Sequence, residues 1–487
     1  MNKKMILYIL GHVMLIEAAL MLLSALVGLI YREPETLWFV VIPLLEGLAG
    51  YLLRRRKPRD MVFYLKEGCV ATALSWLVMS IIGCLPFCLS GVIPSFTDAL
   101  FETVSGFTTT GASILDDVEA LPHCCLFWRS FTHWIGGMGI LVFLLAIVSM
   151  TGGSQMNLMR AESPGPSVGK LVPKARQTAT ILYVIYFALT VLECIILIIA
   201  RMPVFDAIVT AFGTAGTGGF GIKADSMAGY SPLLQWIITI FMIAFGVNFN
   251  AYYFLLMRKW KQALGMEEVR WYFIIIAVAV LIISVNILPL YQGFGESLRQ
   301  SAFQVASVIT TTGFATTDFD LWPTLSKTLL VALMFIGACA GSTGGGMKVS
   351  RYIAVVKSVA NELHIYNHPK SVRKPRLEGK PIDEATMSSI FAYFILFIII
   401  FASSVVLVSL DNYDLTTNFT AVAATLNNIG PGLSLVGPTH SFSLFSHLSK
   451  YVFIFDMLAG RLELFPLVLL FHPSTLKDIF SRRYSDK

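Results

Sequence analysis

Four times along the chain a short apolar stretch runs into a glycine flanked by small or hydroxyl residues: Thr109-Thr110-Gly111-Ala112, Thr217-Gly218-Gly219-Phe220, Thr311-Thr312-Gly313-Phe314 and Asn428-Ile429-Gly430-Pro431-Gly432. A glycine can turn its carbonyl toward an axis with no side chain in the way, and four such turns can surround one dehydrated cation. With Gly111, Gly218, Gly313 and Gly430 as register marks the intervals are 107, 95 and 117 residues, so a unit of about 100 residues recurs. A lone Thr-Thr-Gly is an ordinary helix stop. Four copies in matching positions between paired apolar spans are a pore-loop signature.

What surrounds the turns fixes the solvent. Of the 487 residues, 56% are hydrophobic and 14% charged, more apolar surface than a water-soluble fold can hide. The expectation is an all-α polytopic membrane protein: four tandem span, pore-helix and span repeats around a pseudo-fourfold pore, preceded by two N-terminal transmembrane helices over 5–30 and 37–53. The first repeat reads as 68–92, 96–109 and 124–150, the second as 177–201, 204–215 and 232–257. The third reads as 271–293, 298–311 and 327–360, and the fourth as 387–410, 415–427 and 448–472. Ten spans and four half-spans follow, within domains 1–65, 66–150, 175–262, 268–362 and 383–475, with a cytoplasmic tail over 476–487. The pore helices are apolar but too short to cross, so they enter and return, and non-helical backbone at that depth must line a cavity or be buried in protein. The N-terminus resembles a signal peptide but shows no small-residue cleavage site, so it reads as a retained helix.

Charge sets the orientation. The connections 54–67, 151–177, 258–270 and 348–380 hold 22 Lys and Arg against 7 acids. The turn-bearing connections 91–123, 202–231, 290–326 and 411–447 hold 2 basic residues against 12 acids. The turns therefore face outward, with both termini cytoplasmic and an acidic outer mouth that concentrates cations. The net charge of +6 is thereby a matter of topology and does not point to nucleic acid. The 7 cysteines have no metal-ligand spacing and read as buried thiols. No catalytic triad emerges, so the chain does not read as an enzyme. His123 and His133 read as interface residues.

The candidate ion site is Thr109, Thr110, Gly111, Thr217, Gly218, Thr311, Thr312, Gly313, Asn428, Ile429 and Gly430. These supply neutral oxygens, which suit a large, weakly hydrated monovalent ion better than a divalent one that demands carboxylates. The dipole of each preceding half-helix adds its negative end. A second unusual run, Gly337-Ala338-Cys339-Ala340-Gly341-Ser342-Thr343-Gly344-Gly345-Gly346, interrupts what should be a span; no helix passes through it unbroken. It resembles a phosphate loop only loosely, since no Ser or Thr follows Lys348 and no strand precedes it. An intramembrane gating loop involving Gly337, Gly341, Gly344, Gly345 and Gly346 is the stronger reading, with a close-packing glycine patch as the alternative. Arg461, well inside the last span, is the candidate latch, through loop carbonyls or by pairing with Asp456 or Glu463. Glu17, Glu46, Glu102 and Glu193 are further intramembrane acids, and Glu102 can brace a pore helix.

Over essentially its whole length the chain resembles the Trk/Ktr/HKT superfamily of potassium transporters, and its two extra N-terminal helices resemble the TrkH branch. The strings that carry the resemblance are Phe101 to Gly111, His133-Trp134-Ile135-Gly136-Gly137-Met138-Gly139, Gly344 to Lys348, and Asn427 to Gly432. The resemblance implies that Gly111, Gly218, Gly313 and Gly430 coordinate K+ as the transported ion, with no organic cofactor on the chain. It also implies that the broken helix of the third repeat is the gate and that Arg461 contacts it. The implied setting is a bacterial inner membrane and a homodimer in the lipid bilayer, docked on a cytoplasmic regulatory ring that binds NAD or ATP. Asn428-Ile429 in place of a Thr pair makes the pore asymmetric. Gated, channel-like potassium uptake leads, with symport coupled to H+ or Na+ as the alternative.

Overall fold

The computed structural model describes residues 1–55, 58, 64–139, 175–371 and 373–480. The later part of the span expected over 124–150, most of the connection 151–177 and the end of the tail lie outside the described residues. Among those described, six helices are long and apolar enough to cross a membrane, and a seventh arises if one bent pair counts as one span.

Two helices, Lys3–Tyr31 and Thr36–Arg55, come first and pack along each other. Then a pattern recurs. A long apolar helix (Leu65–Gly83, Ala175–Ile199, Glu267–Asn286, Glu384–Val408) is followed by a short one (Phe96–Phe107, Val204–Gly216, Phe294–Ile309, Leu415–Leu426), a turn, and a further helix that begins the return. The long helices keep apolar side chains exposed, as at Ile395, Ile398 and Val406, which is where lipid would lie. The short helices are buried along most of their length in the protein interior.

The short helices all end in the same way. Thr109, Thr217, Thr311 and Asn428 adopt left-handed backbone, with φ of 54°, 55°, 58° and 56°. The residue after each donates its N–H five residues back: Thr110 to Ser105, Gly218 to Gly213, Thr312 to Ser307 and Ile429 to Ala424, at 2.8–2.9 Å. This is Schellman-type closure with a Thr or Asn where glycine is usual, a conformation that a β-branched residue adopts only when its surroundings impose it.

Two return helices depart from expectation, and a third is broken where the glycine run predicts it. The span over 232–257 is two helices, Pro232–Phe245 and Phe249–Leu256, bent by 92° at Gly246-Val247-Asn248. That expected over 327–360 is Thr324–Ile336 and Val349–Asn367, separated by the glycine run. That expected over 448–472 is His447–Arg461 and Phe465–Phe471, broken where Glu463 and Leu464 have φ of 59° and 64°. Among the described residues, the return halves of the second, third and fourth repeats are therefore each two helices rather than one. A second departure from the all-α expectation is a minimal antiparallel hairpin pairing Arg376–Leu377 with Lys380–Pro381.

Candidate functional site

The four turns close into a ring in which each unit touches the next. A Cβ built on Gly111 would lie less than 3.0 Å from the carbonyl oxygen of Gly218, one on Gly219 equally near that of Thr312, one on Gly313 near that of Ile429, and one on Gly430 near that of Thr110. The order is cyclic, and each glycine abuts the carbonyl of the middle residue in the following turn. No side chain larger than hydrogen fits at these four places. Their φ values of 80°, 74°, 86° and 99° are a second reason for glycine.

This geometry corrects the register of the second repeat. The residue equivalent to Gly111, Gly313 and Gly430 is Gly219, while Gly218 takes the middle position with Thr110, Thr312 and Ile429. The sequence offered two adjacent glycines, and spacing could not choose between them; the left-handed Thr217 does. Gly111, Gly219, Gly313 and Gly430 together line one cavity of about 390 Å³. Asp116 is the one acid among its lining residues, with Lys223, Arg129 and His440 also present, so the mouth is less acidic at the ring than the loop counts suggest.

Three side-chain braces hold the ring. His133 contacts the Gly106 carbonyl through Nδ1 at 2.7 Å, while its Nε2 accepts the Phe220 N–H at 3.2 Å. This pairing assigns the neutral tautomer with the proton on Nδ1 and joins the first short helix to the second turn. Arg129 is buried at the cavity wall, donates through Nε to Glu102 at 2.5 Å and through Nη1 to Gly221 at 2.9 Å, and lies 3.6 Å over the Phe220 ring. Glu102 in turn accepts from Ser113 Oγ and the Ile114 N–H, both at 3.0 Å. Each of its charges is thereby paired, as a buried ion pair requires. Asn428 donates to Thr110 Oγ1 and to the Met457 carbonyl, both at 2.9 Å, so the residue that breaks the Thr pattern welds the fourth turn to the first.

Below the ring, opposite the cavity, lies the glycine run. The Gly345 N–H donates to Thr311 Oγ1 at 2.6 Å, and Cβ atoms added at Gly344 and Gly345 would meet the carbonyls of Thr310 and Asn427 at 2.9 and 2.8 Å. Gly337, Gly341 and Gly346 have positive φ. The bend in the second repeat is built for this loop: the Cys339 N–H reaches the Gly246 carbonyl at 3.1 Å, the Phe249 N–H reaches the Gly341 carbonyl at 3.0 Å, and Thr343 Oγ1 reaches the Phe245 carbonyl at 3.2 Å. Backbone groups released by one broken helix are thus satisfied by the other.

Arg461 contacts the loop through Nη1, which donates to the Thr343 carbonyl at 2.8 Å, while Nη2 donates to the carbonyls of Gly136 and Gly137 at 2.5 and 2.7 Å. Its acidic neighbours have other work: Glu463 pairs with Arg351, and Asp456 accepts from Ser404 Oγ at 2.7 Å. Sequence reasoning missed the roles of two residues that hold the loop. Lys348 is buried and turns its ammonium back onto the Gly344 and Gly345 carbonyls, which is why the phosphate-loop likeness carries no nucleotide site. Glu268, counted with a cytoplasmic connection, accepts the N–H groups of Ala340 and Ser350 at 2.6 and 3.1 Å and so clasps both ends of the loop. An acid at the start of a span was the available signal. Glu193 and the pair Glu17 and Glu46 are buried away from the ring's contacts.

Comparison with known proteins identifies the family. A family profile described as TrkH, cation transport protein, matches residues 37–478. The Trk system potassium uptake protein TrkH of Salmonella typhimurium strain LT2 is 36% identical over 489 residues, covering 98% of this chain and 100% of that protein. Its namesake from Escherichia coli K12 is 35% identical with the same coverage. The crystal structure of the potassium transporter TrkH from Vibrio parahaemolyticus matches with a TM-score of 0.87 at 32% identity, covering 98% of this chain and 100% of that one. These are transporters, not enzymes, and the match runs through both N-terminal helices and all four turns: the chain belongs to the TrkH cation transport family.

Proposed function

We propose that the chain carries potassium ions into a bacterial cell across the inner membrane, passively and channel-like, through the ring formed by Thr109 to Gly111, Thr217 to Gly219, Thr311 to Gly313 and Asn428 to Gly430. The observation that carries this reading is the cyclic contact of each glycine with the carbonyl of the next turn. Backbone oxygens converging on one axis, with no carboxylate among them, replace the hydration shell of a monovalent cation. The relatives named above are potassium transporters, and their full-length similarity supports the same cargo here.

The glycine loop is the gate in this reading. It sits on the inner side of the ring, is tied to the ring by the Thr311 hydroxyl and to its neighbours by Arg461, Lys348, Glu268 and the bend at Gly246 to Asn248, and its glycines give it the backbone freedom to move when those bonds are exchanged. A homodimer in the lipid bilayer, cytoplasmic termini and a nucleotide-binding regulatory ring on the basic inner face complete it. Potassium and sodium flux by the purified chain in liposomes tests the proposal; equal permeation of the two ions refutes the filter.

Coupled symport with H+ or Na+ has one observation in its favour. Glu17 and Glu46 are buried, and their carboxyl oxygens receive no hydrogen bond from an N–H, hydroxyl or cationic group, so they are placed to carry a proton. A reversal potential that follows pH or sodium selects this reading over the channel.

A further inference from the structure

Where the helix Val349–Asn367 leaves the glycine loop and reaches the cytoplasmic side, it borders a cavity of about 790 Å³ lined by Lys357, Asn361, His364, Arg373, Lys374 and Arg376, with no acidic residue in the lining. Two of these cations have carboxylate partners: Lys357 meets Glu267 at 2.5 Å and Lys374 stands 3.7 Å from Glu384. Those partners locate the cavity. Glu267 and Glu384 are the first residues of the spans Glu267–Asn286 and Glu384–Val408, so the cationic cluster lies at the depth where two spans enter the bilayer.

The same helix exposes an apolar stripe beside the cavity. Val356, Val359, Leu363 and Tyr366 recur at helical spacing and are 64%, 52%, 61% and 82% exposed. An apolar stripe next to a cation-lined cavity at headgroup depth is the pattern that takes acyl chains on one side and a phosphate on the other. We propose that this cavity binds the phosphate of an anionic phospholipid of the inner leaflet, held by Arg373 and Arg376 with His364 and Lys374 beside them. Arginine suits the task because its planar fork meets two phosphate oxygens at once.

The walls of the site lead to the loop. The hairpin that carries Arg376 turns at Glu378, whose carboxylate accepts the N–H groups of Glu267 and Glu268 at 2.7 and 3.2 Å, and Glu268 holds the ends of the glycine loop. A lipid seated against Arg376 therefore stiffens the hairpin that caps the helix clasping the loop. Binding stands apart from the transport reading, and the test measures binding alone.

Native mass spectrometry on the full-length chain in detergent, with dioctanoyl phosphatidylglycerol, dioctanoyl phosphatidylcholine and inorganic phosphate as separate probes, decides the matter. The expected result is retention of the phosphatidylglycerol over the phosphatidylcholine, about 30-fold weaker in the double variant Arg373→Gln/Arg376→Gln and unaltered in Lys259→Gln/Lys261→Gln, basic residues outside the cavity lining. A rise to about 1 M salt should release the lipid from the unmodified chain, a check that needs no variant. Equal retention of both lipids, retention that survives both the double variant and high salt, or full displacement by inorganic phosphate at equal concentration overturns the proposal, the last by assigning the cavity to a soluble phosphate.

Discussion

The backbone N–H of Gly345 donates to the hydroxyl of Thr311 at 2.6 Å, so the loop beneath the ring is bonded to the residue whose left-handed backbone begins the third turn. Ring and loop thus form one hydrogen-bonded body, and a change in either is felt by the other.

Gly345→Ala places a Cβ 2.8 Å from the Asn427 carbonyl and 3.1 Å from Asn428 Cβ, both on the rigid end of a buried helix. The loop must move off the ring, and potassium flux in liposomes should rise several-fold. Deletion of Gly341 to Gly346 acts in the same direction. A folded variant with equal or lower flux removes the loop from the gating role.

Gly219→Ser should match Gly111→Ser in loss of potassium-over-sodium selection, because each puts a side chain against the carbonyl of the following turn. Reversal potentials under bi-ionic conditions compare them. If Gly219→Ser keeps its selectivity while Gly111→Ser loses it, the structural register assigned to the second turn is wrong.

His133→Phe keeps the ring shape but leaves the Phe220 N–H without its partner and the Gly106 carbonyl with only the Thr109 N–H. A buried unmade hydrogen bond costs about 1–3 kcal/mol per group. Thermal unfolding should come several degrees lower, with selectivity reduced because the seam between the first and second turns is loosened.

Arg129→Gln leaves Glu102 buried without its cation, and removal of one member of such a pair costs roughly 3–5 kcal/mol. The double change Arg129→Gln/Glu102→Gln should recover much of that loss. A double-mutant cycle on unfolding temperature checks it, and strict additivity of the two single effects would show that the pair is not coupled.

Glu268→Gln keeps the acceptor oxygen but removes the charge that binds the N–H groups of Ala340 and Ser350. Flux should rise modestly, and more in Glu268→Ala. Hydrogen exchange at Ala340 and Ser350 provides a readout independent of transport, with faster exchange expected in both variants.

Much of this was legible in the chain because it rests on local chemistry. Apolar runs of bilayer length, helices too short to cross, glycines at recurring intervals and lysines and arginines gathered in alternate connections each follow from backbone satisfaction in lipid and from charge at its surfaces. The glycine run could be read as a break, since no helix tolerates it, and Arg461 as a residue in need of carbonyls or carboxylates. Breaks at Gly246 to Asn248 and at Leu462 to Leu464 were not legible. Their sequences do not forbid a helix, and at the first break the partners that repay the lost bonds, Cys339 and Gly341, come from a distant part of the chain.

The sequence by itself determined that this is a helical membrane protein with four turns of glycine and small polar residues, because hydrophobic length and backbone freedom are properties of short segments. Only the tertiary structure decided that Gly219 and not Gly218 completes the set, that His133 and Arg129 join the first turn to the second, and that Lys348 and Glu268 hold the loop. Each of those choices is a contact between residues far apart in the chain, and a contact of that kind exists only once the four units have closed on one another.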